Sequence, residues 1–252
     1  MKAKSLCAAA LATLFLGGTA VSAAPMDPMS TNGKVTVENG KIDTEDGVTD
    51  PENPDKKLPE LPGIVPNPNP DMGPLEISDA PALEFGTVKT ATKEVTATAA
   101  ANEWTDPVDG AQKRGAVLQF GDLRTDANGY TVSAKLATQF TQGTNVLTGS
   151  TITFANPWTN TSTGSTGTAP TFKDTFTLSL GDIETVASAK DLDKAGKGMW
   201  TVEYGSSDKV GDLADTTDKS VTLAIPANTA SSMAGGDYTA VIEWSVSSTP
   251  GV

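Results

Sequence analysis

The sequence predicts an all-β protein: an antiparallel β-sandwich of about ten short strands, preceded by a disordered Pro/Asp-rich spacer. Three observations carry this. From Tyr238 to Ser247 the chain alternates without a break, with Tyr238, Ala240, Ile242, Trp244 and Val246 on one face and Thr239, Val241, Glu243, Ser245 and Ser247 on the other. That period of two is a strand's. Residues 75–252 continue the texture backwards as short β-type runs punctuated by turn residues. Residues 24–74 instead hold ten of the sixteen prolines and few apolar side chains, too little burial to offset the entropy of ordering.

The N-terminus reads as a secretory signal peptide over residues 1–23. Lys2 and Lys4 precede an apolar run from Leu6 to Leu16, followed by Gly17-Gly18 and then Val21-Ser22-Ala23, the charged, apolar and small-residue regions in order. Cleavage after Ala23 is favoured over Ala24, which would leave Pro25 first. The alternative, a single membrane helix, is disfavoured because the run is short against about 30 Å of hydrocarbon. Cys7, the one cysteine, lies before most of the apolar region, whereas a lipoprotein cysteine follows it. The mature chain therefore has neither thiol nor histidine. Disulfides, Cys/His zinc sites and Cys- or His-dependent nucleophiles are excluded, and no metal or cofactor is called for.

The precursor's net charge of −13 becomes −15 once Lys2 and Lys4 leave. Such a chain is a poor partner for nucleic acid, and polyanions repel it at low salt. Any affinity for an anionic polymer must rest on hydrogen bonds, sugar stacking or a bridging cation.

The spacer, residues 24–74, includes Asp50-Pro-Glu-Asn-Pro-Asp55 and Pro66-Asn-Pro-Asn-Pro70 and is expected to be extended, near 3.1 Å per residue where polyproline II forms. Gly33-Lys-Val-Thr-Val-Glu38 is its one strand-like stretch. Leu58-Pro-Glu-Leu-Pro-Gly63 fails as a sortase-type anchor because it lacks the Thr, the apolar tail and the basic terminus. Asp43-Thr-Glu45-Asp46-Gly47 lacks EF-hand spacing and reads as a solvated acidic stretch.

In the domain, residues 75–252, strands are predicted at Leu75–Ser78, Leu83–Val88, Glu94–Ala99, Ala116–Phe120 and Gly129–Thr138. Five more follow at Leu147–Phe154, Asp174–Leu180, Met199–Tyr204, Ser220–Ile225 and Asp237–Ser247. Asp109-Gly110, Asn128-Gly129, Asn156-Pro157 and Gly235-Gly236 mark turns. Ile183–Lys190 is read as one or two helical turns, and the Ser/Thr/Gly tract Thr159–Thr168 as an exposed loop. Tyr130, Val132, Ala134 and Leu136 share a face, as do Trp200, Val202 and Tyr204; aromatics in phase with aliphatics read as core. Trp104 (Asn-Glu-Trp-Thr-Asp-Pro) and Trp158 (Asn-Pro-Trp-Thr-Asn) stand in polar, loop-like contexts, where an indole face either stacks on a sugar or folds back over a sheet edge. They are the candidates for glycan contact. Carboxylates such as Asp122, Asp126 and Glu203 are so frequent that a chance pair is expected, so no catalytic residue is assigned and the chain is read as no enzyme.

The closing order Tyr238-x3-Ile242-x-Trp244-x-Val246-x3-Pro250 resembles the terminal motif of the WxL family, surface proteins of Gram-positive bacteria that bind the cell wall, with Val246 in place of Leu. Gly121-Asp122-Leu-Arg124 leading to Gly129-Tyr130-Thr-Val132 resembles the family's earlier signature, an Asp-x-Arg turn before a Gly-Trp-x-Leu strand, here with Tyr130 and Val132 substituted. Leu83-Glu-Phe-Gly86, Leu147–Phe154, Gly198–Val202 and Val221–Pro226 resemble further segments in order, and the likeness covers residues 31–252. It implies a secreted surface protein held non-covalently in the wall, with peptidoglycan as ligand and other wall-attached surface proteins as partners. The motif residues Tyr130, Val132, Tyr238, Trp244, Val246 and Pro250 are then either ligand contacts or the fingerprint of the core. The alternative role is an adhesive or structural subunit that binds sibling surface proteins or a host ligand, with wall retention secondary.

Overall fold

Alternation and β-branched composition yield sixteen strands and one helical turn in the computed structural model, which describes residues 29–251 apart from 46, 127, 162–166, 193 and 211–213. The predicted signal peptide lies outside the described residues. In chain order the strands are β1 (Ile64–Pro66), β2 (Leu75–Pro81), β3 (Val95–Thr98), β4 (Asn102–Asp106), β5 (Gly110–Arg114), β6 (Ala116–Asp122), β7 (Tyr130–Gln142) and β8 (Asn145–Val146). There follow β9 (Thr151–Ala155), β10 (Pro157–Thr161), β11 (Thr171–Phe172), β12 (Thr175–Leu178), β13 (Ile183–Ala189), β14 (Gly198–Tyr204), β15 (Val221–Ile225), α1 (Ala227–Ala230) and β16 (Thr239–Ser247).

The protein is all-β, built from several antiparallel sheets. One sheet runs β1-β2-β6-β14-β10, a second β11-β13-β7-β16 with β8 beside β7, and a third β12-β9-β15-β3, while β4 and β5 form a separate ribbon. A single core joins the three sheets: Leu118, Phe120, Trp200, Val202 and Tyr204 from the first meet Tyr130, Val132 and Leu136 from the second and Ile152, Phe154, Phe176 and Leu223 from the third. Phe154 centres its aromatic part, stacked on Phe176 at 4.8 Å and edge-on to Tyr204 and Trp244 at 5.0 and 5.7 Å. Such pairs add about 0.5–1.5 kcal/mol each beyond area burial.

Several sequence expectations need correction. Ile183–Lys190 is not helical. Its β-branched Ile183, Thr185 and Val186 form β13, laddered to β7 with a bulge between Thr185 and Ala187, and sheet pairing overrides any weak helical preference. Leu83–Val88 carries no ladder: Gly86 takes φ +64°, which interrupts the extended run, although Leu83, Phe85 and Val88 still pack on the core. The turn at Asn156-Pro157 is present, with Asn156 at φ +52°, but it hands the chain from β9 directly to β10 in another sheet. Trp104 and Trp158 thus stand in strands β4 and β10 rather than loops.

The largest correction concerns the spacer. Residues 33–38 are exposed and outside any strand, but from Ile42 onward the segment folds onto the first sheet. Ile42, Val48, Leu58 and Met72 are buried, and Val48 and Leu58 pack against Val117 of β6. The rest of the attachment is polar. Register places Gln119 opposite Thr201 and Val117 opposite Glu203, with Asn160 and Trp158 next to them on β10, so one face of the sheet is a polar layer. The strap satisfies it: Thr49 N–H donates to Gln119 Oε1 at 2.8 Å, and Pro51 O accepts from Trp158 Nε1 at 2.9 Å and Asn160 Nδ2 at 3.2 Å. Arg114 holds Asp50 through two bonds of 2.7 Å and Glu52 at 2.9 Å; all three side chains are at most 5 % exposed. Burial by hydrogen bonds and ion pairs leaves no hydrophobic signature, so the composition reads as a linker although the fold uses it as a layer.

Beneath the strap, Glu203 accepts the Gly115 N–H at 2.6 Å, while its Oε2 has no partner. Burial pushes this carboxyl well above its ordinary range, and the charge of Glu52 adds to the effect; the Gly115 bond and Arg114 oppose it. A carboxyl that holds its proton in the folded state costs stability as pH rises above the unfolded value of about 4.3, by up to about 1.4 kcal/mol per pH unit. Glu203→Gln keeps the acceptor and removes the ionisation. Thermal unfolding of the two proteins is expected to diverge in favour of Gln between pH 4.5 and 8, and a difference independent of pH contradicts this account.

Candidate functional site

The two motif stretches are brought together by one ladder. In the β7–β16 register Val132 faces Val246 and Ala134 faces Trp244. Thr131 Oγ1 donates to Thr249 O at 2.9 Å, and a side chain at Gly129, where φ is +75°, would strike Pro250 at 2.7 Å. Tyr130 and Val132 are fully buried, and the Tyr130 hydroxyl donates to Gly196 O at 3.1 Å, so neither offers a surface to a polymer. Trp244 and Val246 are half-buried on the inward face and Pro250 is exposed. Tyr238 lies apart from them, its hydroxyl donating to Ala234 O at 3.1 Å.

The Asp-x-Arg turn explains itself as a clamp. Arg124 grips Asp122 through Nε and Nη2 at 2.9 and 2.8 Å and donates to Gly129 O at 2.7 Å, while Lys197 Nζ reaches Asp122 at 3.2 Å. Burial works against the Asp122 carboxylate, yet these cations hold its pKa below the ordinary value. The clamp closes the loop from β6 to β7 and delivers Tyr130 to the core. Asp122 and Glu203 are both inaccessible to solvent.

Of the two glycan-contact candidates, Trp158 has its indole N–H occupied by Pro51. Trp104 is differently placed. It projects from the β4–β5 ribbon, half-buried, with the Arg114 guanidinium 5.2 Å from its ring centroid and part of its edge against Val48, Leu58 and Val117. It borders a cleft of about 250 Å³ with Asp50, Lys56, Asp106, Asp109 and Gln112. Lys56 Nζ lies 3.9 Å from Asp106 and bonds Asp109, and the N–H groups of Asp109 and Val108 hold the Asp106 carboxylate below its usual pKa. An aromatic flank with fixed donors and acceptors is the make-up of a sugar contact. Among the described residues no cluster of acidic side chains is arranged to hold a metal ion.

A larger groove, about 960 Å³, runs between β16, the segment 82–90 and the floor formed by Phe140, Ile152, Leu223 and Ile225. Sequence reasoning missed it because an unpaired strand edge is a property of topology, not composition. Arg114 was missed too: Gln112-Lys-Arg-Gly115 carries no sign that its guanidinium is buried.

Core and cleft aromatics are expected to separate in unfolding experiments. Tyr130→Ala removes a fully buried ring and is expected to cost about 3–5 kcal/mol, whereas Trp104→Ala, at a half-exposed ribbon, is expected to cost well under half of that. Urea denaturation checks both, and equal losses contradict the distinction.

No curated protein and no solved structure is significantly similar to this chain. Residues 25–250 match the family model described as "WxL domain surface cell wall-binding", which is a wall-binding family and not an enzyme family. That match takes in the whole strap and runs through both motif stretches, which the β7–β16 ladder sets side by side. It implies a location at the cell surface, in the wall, and no helix among the described residues is long and apolar enough to cross a membrane. The chain therefore belongs to the WxL family of surface proteins that bind the cell wall.

Proposed function

We propose that the protein attaches non-covalently to peptidoglycan through the Trp104 side of the β4–β5 ribbon and takes part in surface protein complexes from that position, without catalysing a reaction. The observation that carries the choice of site is the pairing of Trp104 with the polar cleft of Lys56, Asp106, Asp109 and Gln112. Tyr130 and Val132, by contrast, are buried. A net charge of −15 for the mature chain argues against attraction to anionic wall polymers, which leaves stacking and hydrogen bonding to a glycan as the source of affinity.

A second reading, in which the chain is retained through a sibling surface protein or serves as an adhesive subunit, is favoured by the open groove beside β16. Sedimentation with purified walls distinguishes the two. The mature chain is expected to pellet with bare peptidoglycan, and more so as added salt or falling pH weakens repulsion. Trp104→Ala is expected to weaken retention by on the order of 2 kcal/mol, the loss of an anchoring aromatic. Retention only when a sibling protein is present overturns the glycan reading, and release of reducing ends from the walls overturns the absence of catalysis.

A further inference from the structure

Strand β16 is laddered to β7 on one side only and closes its sheet. On its other side lies the groove of about 960 Å³. The far wall is the segment 82–90, and among the described residues no backbone hydrogen bond reaches positions 85–90. Two lines of open backbone thus face each other across an apolar floor, and Val241 on the strand edge is 50 % exposed. An edge left in this state is a template for another strand.

The chain carries a matching strand. Lys34-Val-Thr-Val-Glu38 alternates with a period of two, its β-branched residues favour extended pairing, and Val35 and Val37 are 84 % and 74 % exposed. Charge is matched at one end: the groove's charged lining residues are Glu84 and Asp237, and the strand-like stretch opens with Lys34 and closes with Glu38.

Reach decides which copy supplies it. Gly40 N–H donates to Leu123 O at 3.1 Å, which fixes Gly40 near the Asp122 end of the β2–β6 ladder, where Leu75 pairs Asp122. The groove opens at the Pro81 end of β2, about 20 Å away for a strand of that length. Three residues of extended chain cover about 11 Å. Val37 of the same chain therefore falls short.

We propose that the groove accepts residues 34–38 of a second copy, which add to the open edge of β16 with the two valines toward the apolar floor. Reciprocal exchange closes a two-fold dimer and leaves neither edge open. The inference concerns self-association and is independent of what the protein binds in the wall.

The mature chain has no cysteine of its own, so the contact is testable by directed cross-linking of the purified protein without walls. Thr36→Cys in one copy, on the face of the added strand that the two valines leave outward with Val241, is mixed under oxidising conditions with Val241→Cys in another. Both sites are exposed, so folding is not at stake, and Val108→Cys, 86 % exposed on the turn between β4 and β5, serves as control. Several-fold more heterodimer with Val241→Cys than with Val108→Cys is expected, rising with protein concentration and with salt as the like charges are screened. Val35→Asp combined with Val37→Asp is expected to leave a monomer in sedimentation velocity. Equal coupling to both positions, no coupling at any concentration, or closure within a single Thr36→Cys/Val241→Cys chain at high dilution overturns the proposal.

Discussion

Strand β6 is buried along all seven of its residues, and that constraint organises the molecule. A strand hidden on one face needs one layer against it; a strand hidden on both needs two. Leu118 and Phe120 enter the shared apolar core, while Val117 and Gln119 point the other way, toward the strap. A buried amide left unsatisfied costs about 1–3 kcal/mol, so Gln119 can face away from solvent only because Thr49, Ser78 and Thr201 bond it. Arg114 poses the same demand more sharply. Its charge is tolerable out of water because Asp50 and Glu52 are delivered to it, and removing one partner of such a cluster costs more than the cluster itself contributes. The strap is thus a condition of the sheet and not an appendage to it.

From the same constraint follows a division of labour among the aromatics. Those in phase with aliphatic neighbours, Tyr130, Trp200 and Tyr204, lie inside, and the two stretches that mark the family meet as neighbours on β7 and β16. The motif identifies the fold because it builds the fold. Trp104 lies outside that core, held at a ribbon by the Arg114 clasp that fastens the strap, so the proposed sugar contact and the strap share one side chain. On that proposal, wall recognition and strap docking are linked through Arg114.

What the sequence made legible was whatever alternates. β7, β14, β15 and β16 are evident from period-two patterns, and so are Tyr130 and Val132 as members of one buried face, whereas β6 is legible only as a short apolar run. Layers made by polar contact were not legible. Asp50-Pro-Glu52 has the composition of a solvated linker, and nothing in its order reveals that its carboxylates meet a guanidinium sixty residues onward. β10 and β4 were hidden in the same way, since Trp158 and Trp104 sit among Asn, Thr and Asp, whose turn preferences mask strands that pairing imposes. The groove beside β16 could not be read at all, because it depends on which strand ends the sheet.

Amide hydrogen exchange resolved to single residues tests the central claim most directly. If the strap is a layer of the fold, the amides of Thr49, bonded to Gln119, and of Leu58, bonded to Val48 O, exchange only with global unfolding, with protection matching Leu118 of β6. Exchange at Thr49 and Leu58 as rapid as at the exposed Val35 and Val37 would contradict the account.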